Sequence, residues 1–141
     1  MKCRVIWIDD QRDPNMIIPT MGRRFFHHLP EGFIHFMQTS NDPVDVVWLK
    51  SYDEWFDWMN NTWMADKDNP KIINCFCLDH DLGCYDNITK EEYTGVNVAI
   101  NICDMVDDYN LRMPFYECHS SNPAGKENIL SVFKTYEEYI R

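Results

Sequence analysis

Four short stretches of the chain are apolar almost without interruption: Cys3 to Ile8, Val44 to Lys50, Ile72 to Cys77 and Phe115 to Cys118. Runs of that length, bounded by turn residues, read as strands buried on both faces of a parallel sheet. Between them the apolar spacing widens to that of helices. Trp55, Phe56, Met59 and Trp63 form one stripe, opened by the capping box Ser51-Tyr52-Asp53-Glu54. A second helix starts at Thr94-Gly95 and places Val96, Ala99, Ile100, Cys103 and Val106 on its core face, with Asn97, Asn101, Asp104 and Asp108 toward water. Asn122-Pro123 reads as an N-cap with proline at the first helical position, and the last helix is expected to bury Ile129, Val132, Phe133, Tyr136 and Ile140. Gly83 to Tyr93 reads as a polar loop.

Strands alternating with helices give a parallel sheet with right-handed crossovers, and the whole chain, 1–141, is expected to be one α/β domain. The segment at about 15–43 has no clean period. Phe33-Ile34-His35-Phe36 suits short strands or a helix, and Pro30-Glu31-Gly32 separates it from Phe25-Phe26-His27-His28. This segment is expected to be an inserted lobe or flap. His27, His28 and His35 lie beside aromatic residues and read as filler rather than metal ligands.

Composition narrows the function. An apolar share of 45% excludes disorder, and the formal charge of −10 argues against a general binder of duplex nucleic acid, whose phosphates must be neutralised by Lys and Arg. It leaves a small phosphate ester open, because a bound divalent cation inverts the local field. No run reaches membrane-spanning length and Met1 to Asp10 lacks the apolar stretch of a signal peptide, so no membrane partner and a cytoplasmic location are expected. Cys3, Cys75, Cys77 and Cys118 read as reduced thiols buried in strands, while Cys84 follows the third strand on a loop and can approach its end.

The chemistry lies where the strands stop. The first ends in Asp9-Asp10, the third in Asp79-His80-Asp81 and the fourth in His119-Ser120. In open α/β sheets ligands bind at the carboxyl ends of the strands. Acids converging there suit Mg²⁺ or Mn²⁺, and an added imidazole widens the choice to Zn²⁺. The free N–H groups at the Asn122 to Lys126 helix start offer a place for an anion, with Lys126 adding a positive charge.

The segments Ile8-Asp9-Asp10-Gln11-Arg12-Asp13-Pro14, Leu78-Asp79-His80-Asp81-Leu82-Gly83, Thr94-Gly95-Val96-Asn97 and His119-Ser120-Ser121-Asn122-Pro123-Ala124-Gly125 together resemble the cyclic-phosphate-processing receiver domains, a receiver-related family. The resemblance implies a receiver-like (flavodoxin-like) three-layer sandwich with a mainly parallel sheet of four to five strands. It implies a metal-dependent phosphoesterase, a phosphodiesterase-type hydrolase, acting on cyclic phosphates of nucleotides, nucleotide second messengers or RNA ends. By position, Asp9, Asp10 and Asp79 would hold the metal. His80, Asp81 and His119 would add ligation or proton transfer, and Ser120 and Asn122 would contact phosphate. The alternative is a phosphoacceptor or degenerate receiver, acting as a signalling module or nucleotide sponge. Ordinary receivers carry Lys-Pro after a fifth strand, and this sequence offers neither, which weakens that alternative.

Overall fold

The computed structural model describes residues 1–14 and 29–140. Strand β1 (Lys2–Ile8) is followed by helix α1 (Glu31–Thr39), strand β2 (Asp45–Leu49), helix α2 (Tyr52–Trp58) and strand β3 (Ile72–Leu78). Next come β4 (Asp81–Tyr85), β5 (Glu92–Thr94), α3 (Gly95–Asp108), β6 (Phe115–Cys118) and α4 (Pro123–Tyr139). Four strands form one parallel sheet in the order β2-β1-β3-β6. With helices flanking it, the molecule is an α/β structure of the receiver and flavodoxin type.

The two faces of the sheet explain the uninterrupted apolar runs. Ile6, Ile8, Phe76 and Leu78 point into a core closed by Trp55, Met59 and Trp63, by Val98, Ala99 and Ile102 of α3, and by Ile129 and Phe133 of α4. Cys3, Val5, Trp7, Cys75 and Cys77 point the other way, against Leu29 and Phe33. Thus Glu31–Thr39 is a helix whose Phe33 is wholly buried beneath the sheet. His27 and His28 lie outside the described residues. A π-helical stretch, Met59–Trp63, continues α2. Trp55, Met59 and Trp63, spaced four apart, stay on one buried face through this change of turn.

Some helix faces sit at a different phase from the expected one. In α3 the buried residues are Val98, Ala99, Ile102, Cys103, Met105 and Val106, while Ile100 is exposed and Val96 only half-buried. Ile140 lies past the end of α4 and is exposed. The Ser51 box is also modified. Ser51 Oγ accepts from Glu54 N at 3.1 Å, but the Glu54 carboxylate accepts from Lys50 N at 3.0 Å instead of from Ser51. All six cysteines are free thiols, and burial pushes Cys118 and Cys103 up to about 11.

The stretch expected as a polar loop lies within the antiparallel hairpin β4–β5. Asp86 folds its turn by accepting from Ile88 N and Thr89 N, both at 2.8 Å, and from the Tyr93 hydroxyl at 2.9 Å. Those donors hold the Asp86 carboxyl down at about 2. The Tyr93 ring stacks on Tyr52 at 4.2 Å, which fastens the hairpin to the start of α2.

Away from the carboxyl ends of the strands, Arg4 is buried with each guanidinium nitrogen hydrogen-bonded. It donates to Asn74 Oδ1 at 2.7 Å and, through both terminal nitrogens, to Asp66 at 2.8 and 3.1 Å, while its guanidinium lies 4.9 Å over Trp58. Removing one partner of such a pair leaves a charge stranded in low dielectric. Asp66→Ala is therefore expected to cost about 3 kcal/mol in urea denaturation, the lower end of the range for buried pairs because Asp66 itself is partly solvated.

Candidate functional site

Parallel pairing continues one residue beyond each strand and so fixes what stands at the carboxyl edge. Asp9 N donates to Leu49 O at 3.1 Å, Asp79 N to Ile8 O at 3.0 Å, and His119 N to Leu78 O at 3.0 Å. With Ile8 opposite Leu78 and Leu78 opposite Cys118, the next residues Asp9, Asp79 and His119 fall in one row. Asp10 follows from the same strand end. Carboxylate oxygens of Asp9, Asp10 and Asp79 lie within 4.8 Å of one another, close enough for one divalent cation to reach all three. The donors are all hard oxygens, which fits Mg²⁺ or Mn²⁺ better than a softer metal. Among the described residues, no other group of His, Cys, Asp and Glu side chains converges in this way.

Asp9 is the most constrained member. It is buried, and its Oδ1 accepts from Gln11 N at 2.9 Å and Arg12 N at 3.0 Å. Its Oδ2 faces His119 Nε2 at 3.0 Å and Arg12 Nε at 3.7 Å, and its carbonyl accepts from Trp48 Nε1 at 2.8 Å. Burial alone would raise its pKa, but the bonds from His119, Arg12 and Gln11 prevail and hold it below the ordinary carboxylate value. Asp79 moves oppositely: burial and then the Asp9 charge raise it, and the single amide bond from His80 N does not compensate. Two neighbouring carboxylates pushed apart in this way are short of positive charge.

The two histidines stand in different environments. His119 is flat against Trp7, with ring centroids 3.8 Å apart, and its Nδ1 is 3.2 Å from Glu117 Oε1. Burial works to lower its pKa, but the Asp9 and Glu117 carboxylates outweigh that and raise it. His80 instead pairs through Nδ1 with Asp81 Oδ1 at 2.9 Å. Its ring covers Gly125 so closely that a β-carbon there would come within 2.3 Å of His80 Cγ. The space over Gly125, in the first turn of α4, is therefore filled by His80.

Ser120, Asn122 and Lys126 lie on the connection into α4 and its first turn. Ser120 Oγ accepts from Asn122 N at 3.1 Å, and Asn122 Oδ1 caps the helix by accepting from Gly125 N at 3.0 Å. Lys126 is exposed. Cys84, half-buried, directs its thiol to Leu82 O at 3.1 Å. Four contributors were not singled out for a role from the sequence: Trp7, Arg12, Glu117 and Gly95. Gly95 fits because a β-carbon there would lie 2.2 Å from the Asp79 carbonyl oxygen, so the helix start can approach the strand end only without a side chain. The alternation of β6 carried a signal for Glu117, which sits two residues before His119 and so on the same face.

The family model of the cyclic-phosphate processing Receiver domain matches residues 4–135. The chain belongs to that family. No curated protein and no solved structure matches it. Among the described residues no helix is long and apolar enough to cross a membrane.

The raised Asp79 carboxyl has a consequence for stability. Its folded-state pKa exceeds its unfolded one, so ionising it opposes folding at neutral pH, and the penalty disappears as pH falls through the raised value and below the ordinary aspartate pKa of about 3.9. Metal-free Asp79→Asn is accordingly expected to be more stable than wild type at pH 7 and to converge with it in acid. Adding Mn²⁺ should raise the wild-type melting temperature more than the variant's. Equal stability of the two metal-free proteins across the whole pH range would count against the charge conflict.

Proposed function

We propose that this domain is a metal-dependent phosphoesterase that opens cyclic phosphates of nucleotides, nucleotide second messengers or RNA ends. The observation carrying this reading is the convergence of Asp9, Asp10 and Asp79 with His119 held 3.0 Å from Asp9. A divalent cation bound by the three acids would neutralise phosphoryl oxygens and lower the pKa of a coordinated water. His119 would supply the proton for the departing hydroxyl. Its ring plane is fixed by Trp7 and its far nitrogen by Glu117, leaving Nε2 directed into the site. Two flanking carboxylates keep the imidazole protonated to higher pH, as a general acid requires. His80 and Asp81, paired over α4, would be a second route for a proton at the rim of the site. Ser120, Asn122 and Lys126 would border the phosphate on that side, Asn122 mainly through shaping the helix start.

A receiver reading keeps one point in its favour: the acid pair after β1 and Asp79 after β3 stand where a phosphoacceptor domain has them, on a sheet of the same order. Asp79 would then accept a phosphoryl group. Burial of its carboxylate beside Asp9 works against such an adduct, which would place further negative charge there.

A turnover panel separates the two. Cyclic mononucleotides, cyclic dinucleotides and 2′,3′-cyclic RNA ends would be incubated with Mg²⁺, Mn²⁺ or Zn²⁺, with Asp79→Asn and chelator as controls. Hydrolysis lost in both controls is the expected result. No hydrolysis, together with a phosphoryl adduct on Asp79 by mass spectrometry after acetyl phosphate, would replace the phosphoesterase with the signalling module. Within a positive panel, His119→Ala should lower kcat by roughly 10²- to 10⁴-fold and remove one limb of the pH–rate profile. An unaltered profile in a folded variant would take the proton role from His119.

A further inference from the structure

Three ionised carboxylates around one divalent cation leave one negative charge in excess, and a phosphodiester brings another. We propose that Arg12 is the phosphate clamp that offsets the charge the diester brings, and that it selects a singly charged diester; this rests on the phosphoesterase reading above. Among the described residues, Arg12 is the cation of the Lys and Arg set whose side chain meets the acid cluster, with Nε 3.7 Å from Asp9 Oδ2. Its backbone is fixed at both ends. Arg12 N donates to Asp9 Oδ1 at 3.0 Å, and Arg12 O accepts from Trp7 Nε1 at 2.9 Å. Nη1 donates to the His119 carbonyl at 3.2 Å, which holds the guanidinium across the mouth of the site between the first and last strands.

The side chain is 42% exposed, and the remaining guanidinium N–H groups, the second on Nη1 and both on Nη2, have no partner among the described residues. These are donors in a rigid planar fork, the geometry that grips two phosphoryl oxygens at once. One guanidinium balances the charge of a cyclic diester but not that of a monoester. In the hydrolysis, water oxygen forms a bond to phosphorus, one ester P–O bond breaks, and a proton passes to the departing alkoxide. The resulting monoester loses a further proton to solvent above its second pKa of about 6. The product thus carries more negative charge than the substrate, against a clamp matched to one, and its release is favoured.

The test compares wild type, Arg12→Ala and Arg12→Lys, with Arg12→Gln as the substitute should the alanine variant melt below the assay temperature. Mn²⁺ affinity is measured by electron paramagnetic resonance. KM and kcat are measured on adenosine 2′,3′-cyclic phosphate and adenosine 3′,5′-cyclic phosphate. A clamp predicts Mn²⁺ binding unchanged or tighter in Arg12→Ala, because a cation has been removed, with KM raised roughly 10- to 100-fold. Arg12→Lys should fall between, keeping the charge and losing the fork. Mn²⁺ affinity falling in step with activity would show Arg12 to be a brace for Asp9 and overturn the clamp. Wild-type turnover with an unchanged KM in Arg12→Ala would overturn the clamp alone. Wild type that binds Mn²⁺ and turns over neither these nucleotides nor the cyclic dinucleotides and 2′,3′-cyclic RNA ends of the panel would overturn the phosphoesterase reading and the clamp with it.

Discussion

The parallel backbone ladder forces Asp9 and Asp79 together. Both amides are committed to carbonyls of neighbouring strands, so the two carboxylates cannot separate without breaking β-pairing at the centre of the sheet. Their electrostatic conflict is thereby built into the fold, and surrounding groups act on one side of it. Asp9 receives two backbone amides, the Arg12 guanidinium and an imidazole, while Asp79 receives one amide. The uneven support sends their pKa values in opposite directions. An ion pair away from the carboxyl ends of the strands shows what a charge-neutral solution looks like. Arg4 faces one carboxylate and one amide oxygen, and each of its guanidinium nitrogens is bonded within the fold.

Helix starts serve the strand ends more directly than their sequence signatures suggest. The Thr94 cap satisfies Val96 N, and Asn97 returns a bond to Thr94 N, so α3 begins firmly at Gly95. Gly95 N then donates to His80 O at 2.9 Å, and the missing β-carbon lets the helix press against the Asp79 carbonyl. At α4 the missing β-carbon of Gly125 makes room for the His80 ring instead. Each glycine therefore places a residue of the Asp79-His80-Asp81 segment, one through its backbone and the other through its side chain.

The sheet and the acids were readable from the sequence because both rest on local patterns. A buried parallel strand is apolar throughout, and a carboxylate directly after such a run can only emerge at its carboxyl end. The β4–β5 hairpin was not readable. Its strands are short, a register irregularity falls between Asp81 and Cys84, and its turn depends on Asp86 meeting Tyr93 across the hairpin. The face of α3 was partly misread because Ile100 is an apolar residue left exposed and Val96 packs only at the margin of the core. Arg12 appeared in a recognised segment without a role, since nothing local shows that its side chain reaches the carbonyl of His119, 107 positions away.

The same distinction explains why the two histidines, alike in sequence, differ in chemistry. His119 sits in the strand row, so the ladder brings it against Asp9, while alternation along β6 puts Glu117 behind it. Its two nitrogens are therefore divided between two carboxylates, and Trp7 prevents the ring from tilting out of that plane. His80 lies one step past the row. Pleating turns its side chain to the opposite face from Asp79, toward α4, where Asp81 is the acid that reaches it. A proton on His119 is shared with the acid cluster and must respond to any cation bound there. Among the described residues, His80 meets only the exposed Asp81 carboxylate at the rim. The pleat thus sets one imidazole against the acids of the centre and turns the other away from them, although both stand at the same edge of the sheet.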